Sequence, residues 1–488
     1  LLVKVMRNMK QLPDVKTLKK VDLLIFIIVC LVSVFHLLDL YQHGLESYAG
    51  RGDTKFYASC ANSFADTGHM TWKEIYPCHL REGKGTLVTW TAVGHPLFSS
   101  LFILVGVSPQ KAVVLASIFA YFLMLIAICW VVYHLTESRV SALMGACFLP
   151  LVLSVREFSY SGGTESLSQL FLVLQLFSFV FLIEEKLIKR VGFKWGFFFV
   201  VNISALFCRP QNLMFFLWMA PCFVLFEMMS KSDQRLWKKT LLKVASCILV
   251  LFVSVISKKI MISEGDLSFG YMVSFLDLTS RYPSHQIARE LFLSGFGLEQ
   301  LINERELVIE KIRTAWPFLK MYWPSWLPFC LLHLFLCLHK RYSKWNLICL
   351  LTWASMILVC VLGYKVPRYW TVLQPLTIFT GLVYALTWNK GWLNKSLVIK
   401  AGFITLFTIT LCYEVQFYKL KKVFSEEPIY SKMPEDVFEQ LKNISSVDLV
   451  ACPSPSKIID QLDKKILLCP QTPDLLLEVN DKVSIVRY

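Results

Sequence analysis

Arg51-Gly52-Asp53-Thr54-Lys55-Phe56-Tyr57 sets one acid between two cations and ahead of two aromatics, just past the first long apolar stretch, Val21 to Leu40. A carboxylate held at the edge of a membrane can take a proton from an acceptor while a lipid-borne donor waits in the bilayer. Arg51 and Lys55 favour its ionised form. The same acid opens a short amphipathic segment running through Ala58, Ala61 and Phe64 to Gly68. There the plainer role is to accept the free amides of a helix N-terminus. Tyr57, one helical turn on, is the nearest candidate for substrate contact.

Other chemistry-bearing residues are scattered. Glu157 precedes Phe158-Ser159-Tyr160-Ser161-Gly162-Gly163, a turn able to bring backbone amides near a ligand. Glu165 opens an apolar run, where the helix dipole alone would favour an acid. Arg209 lies inside apolar sequence, where a charge costs roughly 2.5–3.5 kcal/mol, so it must be paired or face a polar cavity. Its planar fork suits a phosphate; snorkelling to an interface is the bland alternative. Lys365, Arg368 and Tyr369 invite the same two readings at the end of a later span. His95, before Pro96, is either a substrate-facing group or a hydrogen-bonded structural histidine. Trp323, Trp326 and Trp370 read as interface aromatics.

The elements that must position these groups are membrane helices. Of 488 residues, 55% are hydrophobic and only 17% charged, with mean hydropathy +0.53. A soluble domain carries roughly 25% charged residues. Candidate spans are 21–40, 110–135, 140–155, 164–184, 194–208, 211–229, 242–257, 323–339, 345–363, 371–388 and 396–413. Pro96 to Val107 is too short to cross. The net charge of +15 sits mostly in short segments between spans, a topological bias rather than a nucleic-acid surface. That bias places residues 1–20 in the cytoplasm and gathers 41–95, 258–322 and 414–488 on the outer side of a 21–413 membrane module. Within 258–322, Ile302 to Ala315 reads as a helix leading into the next span through Trp316-Pro317. The tail, 414–488, reads as a small soluble α/β unit with helices over 434–441 and 456–462 and strands over 447–452, 465–469 and 483–488. Most cysteines lie inside apolar runs as small hydrophobes. Cys60 with Cys78, and Cys452 with Cys469, are candidate outer-side disulfides. There is no Cys/His spacing of a metal site, and a divalent-metal requirement stays open.

In order, these motifs resemble the polytopic GT-C glycosyltransferases, the superfamily of protein O-mannosyltransferases and the lipid A aminoarabinose transferase. Asp53 with its aromatic-rich helix follows span one. Gly94-His95-Pro96-Leu97-Phe98 leads to Val105-Gly106-Val107-Ser108, Glu165-Ser166-Leu167 opens span four, and Arg209-Pro210 interrupts an apolar pair. Pro367-Arg368-Tyr369 then precedes Pro375. The resemblance covers residues 15–415. It implies an α-helical polytopic fold of about eleven spans with outer juxtamembrane helices. It also implies inverting transfer of a sugar from a dolichyl- or undecaprenyl-phosphate donor to a glycan, lipid or protein acceptor. Asp53 would serve as base, complemented by Glu157 or Glu165. Arg209, Lys365 and Arg368 would hold the phosphate, with Tyr57, His95 and Tyr369 lining the substrate site. Many members carry Asp-Glu where this chain has Asp53-Thr54, so a role needing adjacent carboxylates falls to the other acids.

The competing reading is a transporter or lipid flippase, which would place ionisable groups near the midplane and show inverted repeats. Here the spans are almost free of charge and no repeat is apparent. A bacterial plasma membrane is the expected location, and an endoplasmic reticulum membrane is compatible.

Overall fold

The computed structural model describes residues 52–70, 74–75, 93–136, 163–184, 190–229, 234–261, 305–338, 343–362 and 368–387. It adds short pieces at 38, 142, 401–402, 404–406, 408–410, 449–452, 465–468 and 484–485. The expected spans 21–40 and 140–155, apart from residues 38 and 142, most of 396–413, and the expected tail helices lie outside these residues. So does Cys78 of the first candidate disulfide and Cys469 of the second.

Twelve helices and four strands order the described residues. Helix α1 (Gly52–Thr67), strand β1 (Glu74–Ile75) and helix α2 (Gly94–Ile103) precede the first long apolar helix, α3 (Pro109–Thr136). Then come α4 (Glu165–Ile183), α5 (Val191–Leu206), α6 (Pro210–Met228), α7 (Gln234–Met261) and α8 (Arg305–Met321). A 3-10 turn at Trp323–Ser325 leads to α9 (Leu327–Cys337), α10 (Ser343–Leu362), α11 (Arg368–Thr371) and α12 (Gln374–Thr387).

Helices of α3, α4, α6 and α7 are long and apolar enough to cross a membrane, and α5, α9, α10 and α12 are shorter apolar helices. The molecule is a multi-pass membrane protein. Helix α4 is its axis: apolar almost all round, buried along its length, and packed by α3, α5, α6 and α12. The aromatic filling is interdigitated, with Phe177 meeting Phe379 of α12 edge-on at 5.2 Å and Phe179 meeting Phe223 of α6 at 5.0 Å. Helix α7 is the opposite case. Leu241, Leu242, Ile248, Leu249, Phe252, Val255 and Ile256 stand exposed on it at helical spacing, the pattern of a lipid-facing stripe.

Helix α8 differs from expectation. It runs on through Trp316-Pro317 to Met321, although Pro317 removes one backbone donor from its interior. Packing compensates: the Phe318 ring lies 5.5 Å from Trp370, and Trp326 Nε1–H donates to the Leu319 carbonyl at 3.1 Å.

The bundle has two chemically distinct ends. At one, Trp345 Nε1–H donates to Glu184 at 2.7 Å, Thr240 donates to Glu227 at 3.2 Å, and Lys243 and Lys344 cover the rings of Phe223 and Phe226. At the other, Met70 N–H donates to the Met261 carbonyl at 3.1 Å and Gly94 N–H to the Phe207 carbonyl at 2.7 Å. The helix α1 closes there on Gly68, whose φ of 75° only glycine adopts freely.

The strands form one parallel sheet, ordered β1-β3-β2-β4, with β2 Leu449–Cys452, β3 Lys465–Leu468 and β4 Ser484–Ile485. Three strands come from the tail. The fourth, β1, comes from the stretch between α1 and α2 and pairs Glu74 with Ile466 and Ile75 with Leu467.

Candidate functional site

Arg209 sits where α5 ends and α6 begins. Its backbone is extended, with φ −152° and ψ 163°, and Pro210 takes the first helical position, where a missing N–H costs nothing. The break turns the Arg209 side chain toward the start of α4 rather than toward lipid. Nη1 donates to Thr164 Oγ1 at 3.0 Å and forms an ion pair with Glu165. Both side chains are about nine-tenths buried or more. A charge that would be prohibitive alone is thus neutralised across the helix interface, with a hydroxyl taking a further donor.

Helix α2 is held against the same break. The Gly94 N–H meets the Phe207 carbonyl, and a Cβ at Gly94 would lie 2.8 Å from that oxygen, so the approach requires glycine. This contact fixes His95 one residue on, fully buried. Its Nε2 lies 3.0 Å from Ser117 Oγ of α3, and Ser117 donates its hydroxyl hydrogen to the Gly163 carbonyl at 3.2 Å. The Ser117 oxygen is therefore left to accept from Nε2–H, which makes Nδ1 the acceptor facing Ser99 at 3.4 Å. Burial lowers the His95 pKa to about 4, although the nearby Glu165 charge raises it in part, so the ring is neutral at physiological pH. Ser166 Oγ–H closes the set by donating to the Ser117 carbonyl at 2.8 Å.

Helix α1 lies over this cluster, packed on α2 and α3. Thr54 is buried, and the half-buried Tyr57 ring lies 5.8 Å from His95. Asp53 is the second residue of α1, one helical turn before Tyr57.

No family model matches the sequence, and no curated protein matches it. Among solved structures, the oligosaccharyltransferase of Archaeoglobus fulgidus in its apo form superimposes with TM-score 0.50 at 10% identity. The match covers 90% of this chain and 64% of that one. The same protein in complex with zinc and sulfate matches over 91% of this chain and 62% of its own, with TM-score 0.47 and 10% identity. This chain therefore spans less than two thirds of the length of that neighbour.

The chain shares the fold of that oligosaccharyltransferase.

Within this fold, Tyr57, His95, Glu165 and Arg209 come together at one end of the bundle, with Asp53 on the helix that covers them. Arg368 and Tyr369 open the short helix α11, whose Trp370 is buried and donates Nε1–H to Ser325 at 2.9 Å. Trp370 is therefore a packing residue, not the interface aromatic expected. The side chains of Asp53, Arg368 and Tyr369, and all of Glu157 and Lys365, lie outside the described residues. Among the described residues no three His, Cys, Asp or Glu side chains group as a metal site would require.

Sequence reasoning missed Ser117, Thr164 and Ser166, which carry the hydrogen bonds between the expected residues. It also missed the polar seam below them. Ser168, Gln175 and Ser178 of α4 bond with Asn202 of α5 and Asn212 of α6; Gln175 Nε2–H donates to Asn202 Oδ1 at 3.2 Å, and Asn212 Nδ2–H to Gln175 Oε1 at 3.1 Å. The signal was present as carboxamides repeating at helical spacing inside apolar spans, where each must find a partner.

Proposed function

We propose that the chain is a membrane glycosyltransferase that moves a sugar from a polyprenyl-phosphate donor to an acceptor hydroxyl or phosphate. The observation that carries this reading is the covered cluster of Tyr57, His95, Glu165 and Arg209 beneath the helix that carries Asp53. In a GT-C fold it supplies an acid-bearing element on one side and a buried cation on the other.

Asp53 takes the proton of the acceptor hydroxyl as its oxygen attacks the anomeric carbon. The bond from that carbon to the phosphate oxygen breaks, and the phosphate leaves with the electron pair, inverting the centre. Arg209, with Lys365 and Arg368, stabilises that departing charge in a site shielded from water. Glu165 holds the Arg209 fork in register, and Glu157 supplies a further acid. Tyr57 and Tyr369 offer ring faces to the sugar, and neutral His95 fixes the wall behind them. The basic end, with Lys238, Lys239, Lys243 and Lys344, suits a cytoplasmic face, so the cluster opens to the periplasm or lumen. We read eleven spans, a catalytic module over 21–413 and an extracytoplasmic tail. Transport is the weaker reading, because Gln175, Asn202 and Asn212 are spent on one another rather than lining a path.

The test uses the full chain in nanodiscs with a panel of polyprenyl-phosphate hexoses, following lipid binding and release of free polyprenyl phosphate in the presence of a membrane-extract acceptor. Asp53→Asn should keep donor binding and lower turnover by about 10²–10⁴-fold. Unchanged turnover would remove Asp53 from the mechanism, and failure to bind any member of the panel would remove the donor class.

A further inference from the structure

Polar side chains on the axial helix α4 are matched with care, except at one position. Glu165 pairs with Arg209, and Ser166 donates to the Ser117 carbonyl. Ser168 and Gln175 bond with Asn212, and Ser178 accepts from Asn202. Gln169 stands among them, 1% exposed, and neither Oε1 nor Nε2 has a hydrogen-bond partner among the described residues. A buried amide with both ends unmet is costly, and it is rare in a native interior unless a water or ligand completes it.

Its position says which side it serves. Gln169 follows Glu165 by four residues, one turn deeper and about 40° around the helix. That angle lies between the face of Glu165, which meets Arg209, and the face of Ser166, which meets Ser117. By helical spacing, position 169 therefore lies one turn deeper in the bundle than Glu165, on the side of α4 between the residues that meet Arg209 and Ser117. About one and two-thirds turns further in, on the same helix, Gln175 satisfies both of its amide atoms within the protein. The fold can close an amide here; at Gln169 it does not.

We propose that Gln169 binds the sugar of the lipid-linked donor, Oε1 accepting from one ring hydroxyl and Nε2–H donating to its neighbour. A carboxamide presents an acceptor and a donor side by side, the complement of two vicinal hydroxyls. This rests on the glycosyl-donor reading above and names the residue that reads the sugar rather than the phosphate.

The experiment compares two probes on the full chain in nanodiscs, a polyprenyl-phosphate hexose and the same polyprenyl phosphate without sugar. The variant is Gln169→Met, close in shape but without hydrogen-bonding ends. The wild type should bind the sugar-bearing lipid more tightly. The variant should lose about ten- to thirtyfold for that lipid, keep its affinity for the sugar-free one, and melt no lower than wild type. A sugar preference retained in Gln169→Met would overturn the proposal, because a water or nothing would then occupy the amide. A lower melting temperature would overturn it too, since it would show that folding uses the amide. If neither lipid bound the wild type, the donor reading itself would fall, and this inference with it.

Discussion

Gly94 and Phe207 approach so closely that the N–H of the first lies 2.7 Å from the carbonyl oxygen of the second, with no room for a side chain between them. The contact joins the short helix carrying His95 to the helix break carrying Arg209. Gly94→Ala should therefore destabilise the protein by about 1–3 kcal/mol, read as a lower melting temperature in detergent. Gly196→Ala is the control: it lies in α5 with nothing within 4 Å of its Cβ position, and it should be neutral or gain about 0.5–1 kcal/mol. Equal melting of the two variants would contradict the close packing at Gly94.

The Glu165–Arg209 pair should behave as a unit. Arg209→Met removes the cation paired with the buried Glu165 carboxylate and should cost about 3–5 kcal/mol. Adding Glu165→Leu should recover much of that stability without restoring transfer. A double-mutant cycle on melting measures the coupling, and simple additivity of the two losses would argue against the pair.

His95 makes stability pH-dependent in a defined window. Its pKa is about 4 when folded and 6.5 when unfolded, so on acidification the unfolded chain takes up the proton first. The contribution of neutral His95 is present above pH 6.5 and is lost as the pH falls toward 4, a change on the order of 3 kcal/mol. Melting temperatures of wild type and His95→Gln should converge between pH 7 and 4.5. Parallel curves would mean that the ring titrates normally.

Strand β1 gives a covalent test of the sheet. Facing residues in a ladder lie within disulfide reach, so Glu74→Cys with Ile466→Cys should crosslink in the full chain under mild oxidation, as mass spectrometry of the linked peptides would show. Ile75→Pro, which removes a ladder donor, should suppress the link. A crosslink that survives the proline unchanged would rule out the pairing.

The helices were largely legible because apolar runs in lipid have one solution, in which every backbone group bonds within its own segment. The expected 110–135, 164–184 and 211–229 lie within a residue or two of α3, α4 and α6. The site was legible only as residue types. Arg209 announced that it needed a partner, yet nothing local in the chain pointed to Glu165, since the pairing depends on how α4 and α6 cross. Ser117 and Gln169 gave no signal beyond being polar in apolar sequence. Strand β1 was invisible for another reason: two residues carry no periodicity, and its pairing partner is at the far end of the chain.

That pairing also constrains arithmetic along the membrane. Main-chain hydrogen bonds cannot reach across a bilayer, so Glu74–Ile75 and Ile466–Leu467 share a compartment. A chain that leaves a compartment and returns has crossed an even number of times. Between Ile75 and Leu449, spans can therefore be added or struck out only two at a time.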